Sequence, residues 1–327
     1  MNKKIKFFLL LIICFSLFES TVVNAWGFWA HKRINKIAVF TLPTELMGFF
    51  KENIDYVTNH AVDPDKRRYA VEGEAPKHYI DIDHYCNFPH DCVPKNWDDA
   101  VETFSEDTLQ AYGTSPWNLE KYYYTMVNAF ESKDPKWILK VCTDFGHYLG
   151  DLHVPLHTTV NYNGQLSNQH GIHAFWESRI PELMGDDYDY FMGKAVYIDN
   201  IKEKIWNIVM ESSAAVDTVL NFEQTLTDEF PTDKKYSFDD RNETHMRAHS
   251  KEFSLEYNLR IKNMVYKRMS ASIVNLGSFW YTAWVNAGKP DLSEFSKIEY
   301  SQEDLEEMKK LEEQYKSREI KSRDHWE

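Results

Sequence analysis

The sequence predicts an all-α fold, a single mostly helical domain, and three observations carry that prediction. Glycine and proline are scarce, at 12 and 11 of 327 residues, too few for a loop-dominated or all-β chain. Apolar residues recur at spacings of three and four through most of the long segments. Apolar content is 43%, with 10 tryptophans and 19 tyrosines, enough to fill a large core and too much for a disordered chain. The sequence shows no internal repeat and no low-complexity linker.

Taken in order, residues 1–25 read as a signal peptide. Lys3, Lys4 and Lys6 precede the apolar run FFLLLIICFSLF at 7–18, which is too short to span a bilayer comfortably. Val23-Asn24-Ala25 then supplies a cleavage site. The protein is therefore expected to be exported, either periplasmic or secreted, with one domain over residues 26–290. Residues 57–95 carry many polar groups with little periodicity, a loop region of the kind where functional residues concentrate. Helical spacing covers 97–111, 118–131, 136–152 and 196–226. A further helix over 251–287 stops at Gly288, with Pro290 beyond it. Residues 291–327 form a charged C-terminal helix or tail with the composition of a solvated surface.

An exported chain can hold disulfides, and Cys86 and Cys92 bracket a short proline-containing loop, so they are expected to pair. Cys142 is left over as a small buried apolar residue. The formal charge of −14 becomes −16 once residues 1–25, with three lysines and one glutamate, are removed. Such a protein repels nucleic acid and anionic membranes unless bound divalent metal inverts the field locally. No long amphipathic apolar run suggests an interfacial anchor.

The chemistry concentrates in FGHYLGDLHVPLH, residues 145–157. On a helix His147 and Asp151 project from one face, and Pro155 disrupts the helix so that His157 can turn back toward it. In GIHAFWE, His173 and Glu177 are again four apart. KHYIDID places His78 and Asp81 three apart, HAVDPDKRR contributes Asp63, and WGFWAH sets His31 five residues after Trp26. Imidazole nitrogen with carboxylate oxygen is a donor set suited to zinc. Cleavage after Ala25 would free the α-amine of Trp26, whose ordinary pKa near ~8 lets it deprotonate when metal competes.

The ordered set WGxxxH, AVD, HYID, HYLGDxxxPLH and HxxWE resembles the superfamily of zinc-dependent type I single-strand nucleases and bacterial zinc-dependent phospholipases C, over roughly residues 26–290. The resemblance implies a helical domain with three zinc ions in a cleft. On the matching positions, Asp63, His78, His147 and Asp151 would hold one zinc of a close pair. Trp26, His31 and Asp151 would hold the other, and His157, His173 and Glu177 the third. Asp81 matches a carboxylate that orients a ligand or water near the pair, and Asp63 or Asp81 would assist catalysis. His60, His84, His90, His153 and His170 match no ligand position, and His245, His249 and His325 lie outside the motifs.

The expected function is phosphodiester hydrolysis by a zinc-activated hydroxide, with Lys66, Arg67 and Arg68 either contacting phosphate or forming surface. The WGxxxH spacing and the short step from Asp63 to His78 resemble the nucleases. They favour single-stranded nucleic acid or a nucleotide as substrate, with bases stacked on aromatics such as Tyr79, Tyr85, Tyr148, Tyr162, Phe175 or Trp176. Glu177 and HYLGD look like the phospholipases, so cleavage of phospholipid head groups is the alternative. A third reading is a non-catalytic secreted helical protein stabilised by zinc. No protein partner is implied.

Overall fold

The computed structural model describes residues 27–241, 244–295 and 297–317. The expected signal peptide at 1–25, Trp26 and His325 lie outside the described residues. The helices, in chain order, begin with α1 Gly27–Ala38, α2 Thr44–Glu52, α3 Ile54–Asn59 and α4 Asp63–Arg67. They continue with α5 Trp97–Phe104, α6 Glu106–Tyr112, α7 Ser115–Ser132 and α8 Pro135–Leu152. Then come α9 Ile172–Ala174, a π-helical turn Phe175–Arg179, and α10 Ile180–Met184. The long helices α11 Ile201–Glu229, α12 Lys251–Arg260 and α13 Met264–Asn286 precede α14 Gln302–Ser317. The fold is all-α, as the periodicity predicts, and no described helix is long and apolar enough to cross a membrane.

Helix α8 occupies the centre. Its start is set by Asp134, whose carboxylate accepts the N–H groups of Lys136 and Trp137, with Pro135 at the first helical position. From Val141 to Leu152 every residue is buried, the pattern of a helix enclosed on all sides. Helix α1 crosses it at two glycines. A Cβ on Gly146 would stand 2.1 Å from Asn35 Oδ1, and one on Gly150 would stand 3.1 Å from His31 Nδ1. Asn35 uses that proximity to donate to Thr143 O at 3.1 Å. On another side of α8, Trp280 of α13 stacks on Phe50 with centroids 4.8 Å apart and donates to Cys142 O at 3.0 Å. Cys142 is fully buried there, which pushes its thiol pKa up.

The breaks between helices follow local backbone chemistry. The stretch expected as one helix over 97–111 splits at Ser105, at φ 70°, whose hydroxyl accepts from Thr108 N and caps α6. The stretch expected over 251–287 splits at Lys262 and Asn263, both at φ 54°, in the left-handed region that tolerates asparagine. A two-stranded hairpin, β1 Tyr236–Arg241 against β2 Thr244–His249 with Tyr236 facing His249, is an addition to the helical reading. Each strand is six residues long, too brief for alternation to stand out in a polar stretch. Cys86 and Cys92 form the expected disulfide. His90 secures that loop by bonding Cys86 O and Ser213 Oγ of α11, each at 2.7 Å.

The Gly146 crossing yields a direct test. Overpacking a tight core site costs about 1–3 kcal/mol, so Gly146→Ala should lower unfolding stability in denaturant by that amount. Gly48 in α2 has nothing within 4 Å of its missing Cβ, and Gly48→Ala should raise stability by about 0.5–1 kcal/mol. Equal effects of the two substitutions would contradict the crossing.

Candidate metal centre

The site is assembled by bringing five segments onto the last two turns of α8. His147 and Asp151 lie one turn apart there, both fully buried. Helix α1 brings His31, whose ring stacks on His147 at 3.9 Å and whose Nε2 is 3.2 Å from Asp151 Oδ1. The 3₁₀ turn Ala75–His78 brings His78, with Nδ1 2.8 Å from Asp151 Oδ2 and 3.1 Å from His147 Nε2. Helix α4 brings Asp65, whose Oδ1 is 3.6 Å from His147 Nε2 and 3.8 Å from His78 Nδ1. The turn Pro155–Thr158 returns His157, with Nε2 3.8 Å from Asp151 Oδ1 and 3.5 Å from Glu177 Oε2. Finally, α9 and the π-helical turn place His173 Nε2 3.1 Å from Glu177 Oε2 and 3.3 Å from His157 Nε2.

Three groups result in which the donor atoms lie within 4.8 Å of one another: His31–Asp65–His147, His78–His147–Asp151 and His157–His173–Glu177. Backbone carbonyls orient the rings. Ala61 O lies 2.8 Å from His147 Nδ1, and Tyr162 O lies 2.9 Å from His173 Nδ1. A carbonyl can only accept, so each Nδ1 carries a proton and Nε2 is the nitrogen that faces the cluster, offering its lone pair whenever that atom is deprotonated.

These residues fit a cation. Both carboxylate oxygens of Asp65, both of Glu177 and Oδ1 of Asp151 are buried, and none makes a hydrogen bond. A buried polar group left so costs about 1–3 kcal/mol, and imidazole nitrogen beside carboxylate oxygen is a set that zinc takes. The titration of the cluster agrees. Burial is the largest influence on His147 and pushes it down, but the Asp151 and Asp65 carboxylates more than reverse this and raise it to about 10. Burial pushes Asp65 up, yet His147, His78 and Arg68 bring it down to about 2. Burial lowers His78 to about 4. The cluster thus concentrates negative charge against one strongly held proton, the place where a metal competes.

Of the residues expected from sequence, the structure brings together His31, His78, His147, Asp151, His157, His173 and Glu177. Asp63 is not among them. Its Oδ2 is 2.6 Å from His60 Nδ1 and its Oδ1 3.4 Å from Lys66 Nζ, and Asp65 stands in the cluster instead. The reason is angular: two residues along a helix turn a side chain about 200°, so Asp63 and Asp65 leave α4 on opposite sides. Asp81 is 5% exposed and donates its N–H to Tyr112 O at 2.7 Å, but belongs to none of the three groups. The basic run is engaged within the fold. Arg67 pairs with Asp144 at 2.9 Å and Glu74 at 3.2 Å, Arg68 approaches Asp65 at 3.5 Å, and Lys66 lies 3.3 Å from Glu312.

Sequence reasoning missed Asp65 and Glu74. Glu74 accepts from Tyr148 of α8 and from Lys77. Burial opposes its ionisation, but Arg67 and the neighbouring cations bring it down to about 2. It ties the loop that carries His78 to the central helix. Nothing in VEGEAP marks it, whereas Asp65 was visible as the second aspartate of HAVDPD.

No family model matches the chain and no curated protein matches it. Among solved structures, it is similar to the alpha toxin from Clostridium absonum, with a TM-score of 0.45 and 14% identity over 78% of this chain and 63% of the toxin. The chain therefore spans less than two thirds of the toxin's length.

Two outcomes follow from the geometry. Asp65→Asn should remove about one metal equivalent measured by mass spectrometry of the native protein, and Asp63→Asn should leave the metal content unchanged; the reverse would return Asp63 to the site. His147 must lose its proton to bind metal, and its pKa of about 10 lies above neutral pH. Apparent metal affinity should therefore rise as pH increases from 6 to 9, roughly tenfold per unit for one displaced proton. Calorimetry in buffers of different ionisation enthalpy should register about one proton released, and a flat profile would contradict the assignment.

Proposed function

We propose that the chain is a zinc-dependent hydrolase of phosphodiester bonds, acting on phospholipid head groups in the manner of a phospholipase C. The carrying observation is the position of Asp151. It lies 3.2 Å from His31, 2.8 Å from His78 and 3.8 Å from His157, so the three donor groups form one continuous surface. Closely spaced cations suit a phosphoryl centre, where attacking and leaving oxygens both carry charge. Structural zinc sites are usually closed and rich in cysteine, and none of the three groups contains a cysteine.

Zinc, when bound, supplies Lewis acidity and hydroxide at neutral pH. The chain's own residues do the positioning. Ala61 O and Tyr162 O fix the planes of His147 and His173. Asp65 and Asp151 offset the positive charge. Asp81, held through its own N–H by Tyr112 O, is the carboxylate assigned to orient the attacking water. Asp63, turned toward His60, has no part in this reading.

The choice of substrate rests on where the aromatics sit. Tyr79, Tyr148, Phe175 and Trp176 are all buried, so four of the six aromatics expected to stack on bases present little open face, which speaks against nucleic acid. Lys66, Arg67 and Arg68 are paired with carboxylates, which removes the phosphate contacts once available to a polyanion. Glu177 and HYLGD already lean toward phospholipid. Tyr85 and Tyr162 are half-buried, Tyr162 with its ring 6.5 Å from that of His173, and they keep nucleic acid or a nucleotide as the second reading.

Initial rates should be compared for zinc-loaded protein beginning at Trp26 on phosphatidylcholine micelles, single-stranded RNA and single-stranded DNA, with and without chelator. Chelator-sensitive release of phosphocholine should be fastest, and Asp151→Asn should lower it at least ~100-fold, beyond the 10–100-fold typical of residues that only support a ligand. Faster cleavage of nucleic acid would replace the substrate assignment. No hydrolysis of any of the three by metal-loaded protein would favour the non-catalytic reading.

A further inference from the structure

Helix α14 reads from sequence as a solvated appendage, and most of it is exposed: of its sixteen residues only Tyr315 is buried. Where it docks is informative. The segment leading into it bonds back to the N-terminal half through Ile298 N to Asn53 Oδ1 at 2.8 Å and His60 Nε2 to Tyr300 OH at 3.0 Å. Lys136 reaches Asp304 at 2.6 Å. Beneath the first turns of the helix lies a cavity of about 390 Å³, bordered among others by Tyr56, Trp137, Met308 and Leu311. Its firm contact is at the far end. Tyr315 is 8% exposed, with its ring 6.4 Å from Phe28 and 5.9 Å edge-on from Tyr69. One turn earlier, Glu312 lies 3.3 Å from Lys66.

Each of those three partners is next to a cluster residue. Phe28 precedes His31 by three positions on α1, hence on the same side of that helix. Lys66 directly follows Asp65, and Tyr69 follows it by four. His31 and Asp65 are the two members of the His31–Asp65–His147 group that do not come from α8. The end of α14 thus bridges the two segments whose separation decides whether that group closes.

We propose that Tyr315 is a positioning residue of the metal pair, clamping Phe28 and Tyr69 together so that His31 and Asp65 stay in register with His147. The third group depends less on the clamp. His157, His173 and Glu177 come from one short stretch of chain and meet α1 beside the clamp through Gly27 N donating to Ser178 Oγ at 3.0 Å, whereas His31 and Asp65 lie on the two clamped segments themselves. Loss of the clamp should therefore loosen the pair more than the third group. The inference rests on the metal reading of the clusters and not on any substrate.

The test is zinc release into a chromogenic chelator from the loaded protein that begins at Trp26 and carries its whole C-terminus, with the release phase of the third group assigned from the phase that Glu177→Gln removes. Tyr315→Ala should speed release from the pair about tenfold, as loss of a supporting contact commonly does, and speed the third phase by a clearly smaller factor. Tyr315→Phe, which keeps the ring, should release zinc from the pair more slowly than Tyr315→Ala. Glu312→Lys is a surface change that opposes Lys66 without touching the core, and should speed the same phase by a smaller factor even if Tyr315→Ala does not fold. Parental release in both Tyr315→Ala and Glu312→Lys would overturn the proposal. So would equal acceleration of every phase, which is the mark of general destabilisation, or absence of bound zinc in the parent chain.

Discussion

Everything in this fold answers to one burden, the burial of His147 and Asp151 inside a helix with no solvent on any side. An ionised carboxylate or imidazolium taken from water into a protein interior loses several kcal/mol of hydration, and it persists only where partners replace the water. Here the replacement is supplied by segments that are far apart in sequence. Helix α1 delivers His31 at a crossing close enough to require Gly146 and Gly150. The loop before residue 79 delivers His78 and, through Glu74 and Arg67, its own restraint. The turn at Pro155 delivers His157.

That dependence explains what could be read in advance. The pairs His147–Asp151 and His173–Glu177 follow from helical spacing and the return of His157 from one proline, because that geometry is local; the grouping of His157 with His173 and Glu177 comes from the ordered motif set. His31 and His78 required the ordered motif set, since nothing in their surroundings specifies what they approach. Asp63 is the residue on which the motif AVD ends, and Asp65 does not enter the sequence reading. The two differ only in which side of α4 they leave, a question set by the register of a five-residue helix that apolar periodicity is too short to fix. The helix breaks at Ser105 and at Lys262–Asn263 escaped for a related reason: positive φ at serine or lysine leaves no compositional mark, and a single asparagine at 263 is a weak one.

The same comparison of local and distant parts bears on substrate. The aromatics nearest the motifs were natural candidates for stacking because they neighbour the ligands in sequence. A residue adjacent to a buried ligand is, for the same reason, apt to be buried itself, and Tyr148, Phe175 and Trp176 are fully or almost fully so. Phe175 packs on His249, Phe253 and Tyr257, and Tyr148 walls the cluster, with its ring 5.2 Å edge-on to His78 and its hydroxyl bonded to Glu74. Proximity in sequence to a catalytic group therefore argues for support of that group at least as strongly as for contact with substrate.

The three donor groups are unequal in how they are held. His157, His173 and Glu177 are joined by a short stretch of chain whose π-helical turn keeps Glu177 within reach of both rings. The pair draws on α1, α4, the His78 turn and α8, so it exists only when those elements are docked. Sub-global opening separates elements that share few buried contacts before it disrupts local turns. A partly opened chain would thus keep the third group while losing His31 and Asp65 from the pair. Under that logic a C-terminal helix seated across α1 and α4 is more than cover. It lies where a few contacts, distant in sequence from every cluster residue, hold together the part of the centre that depends most on the whole fold.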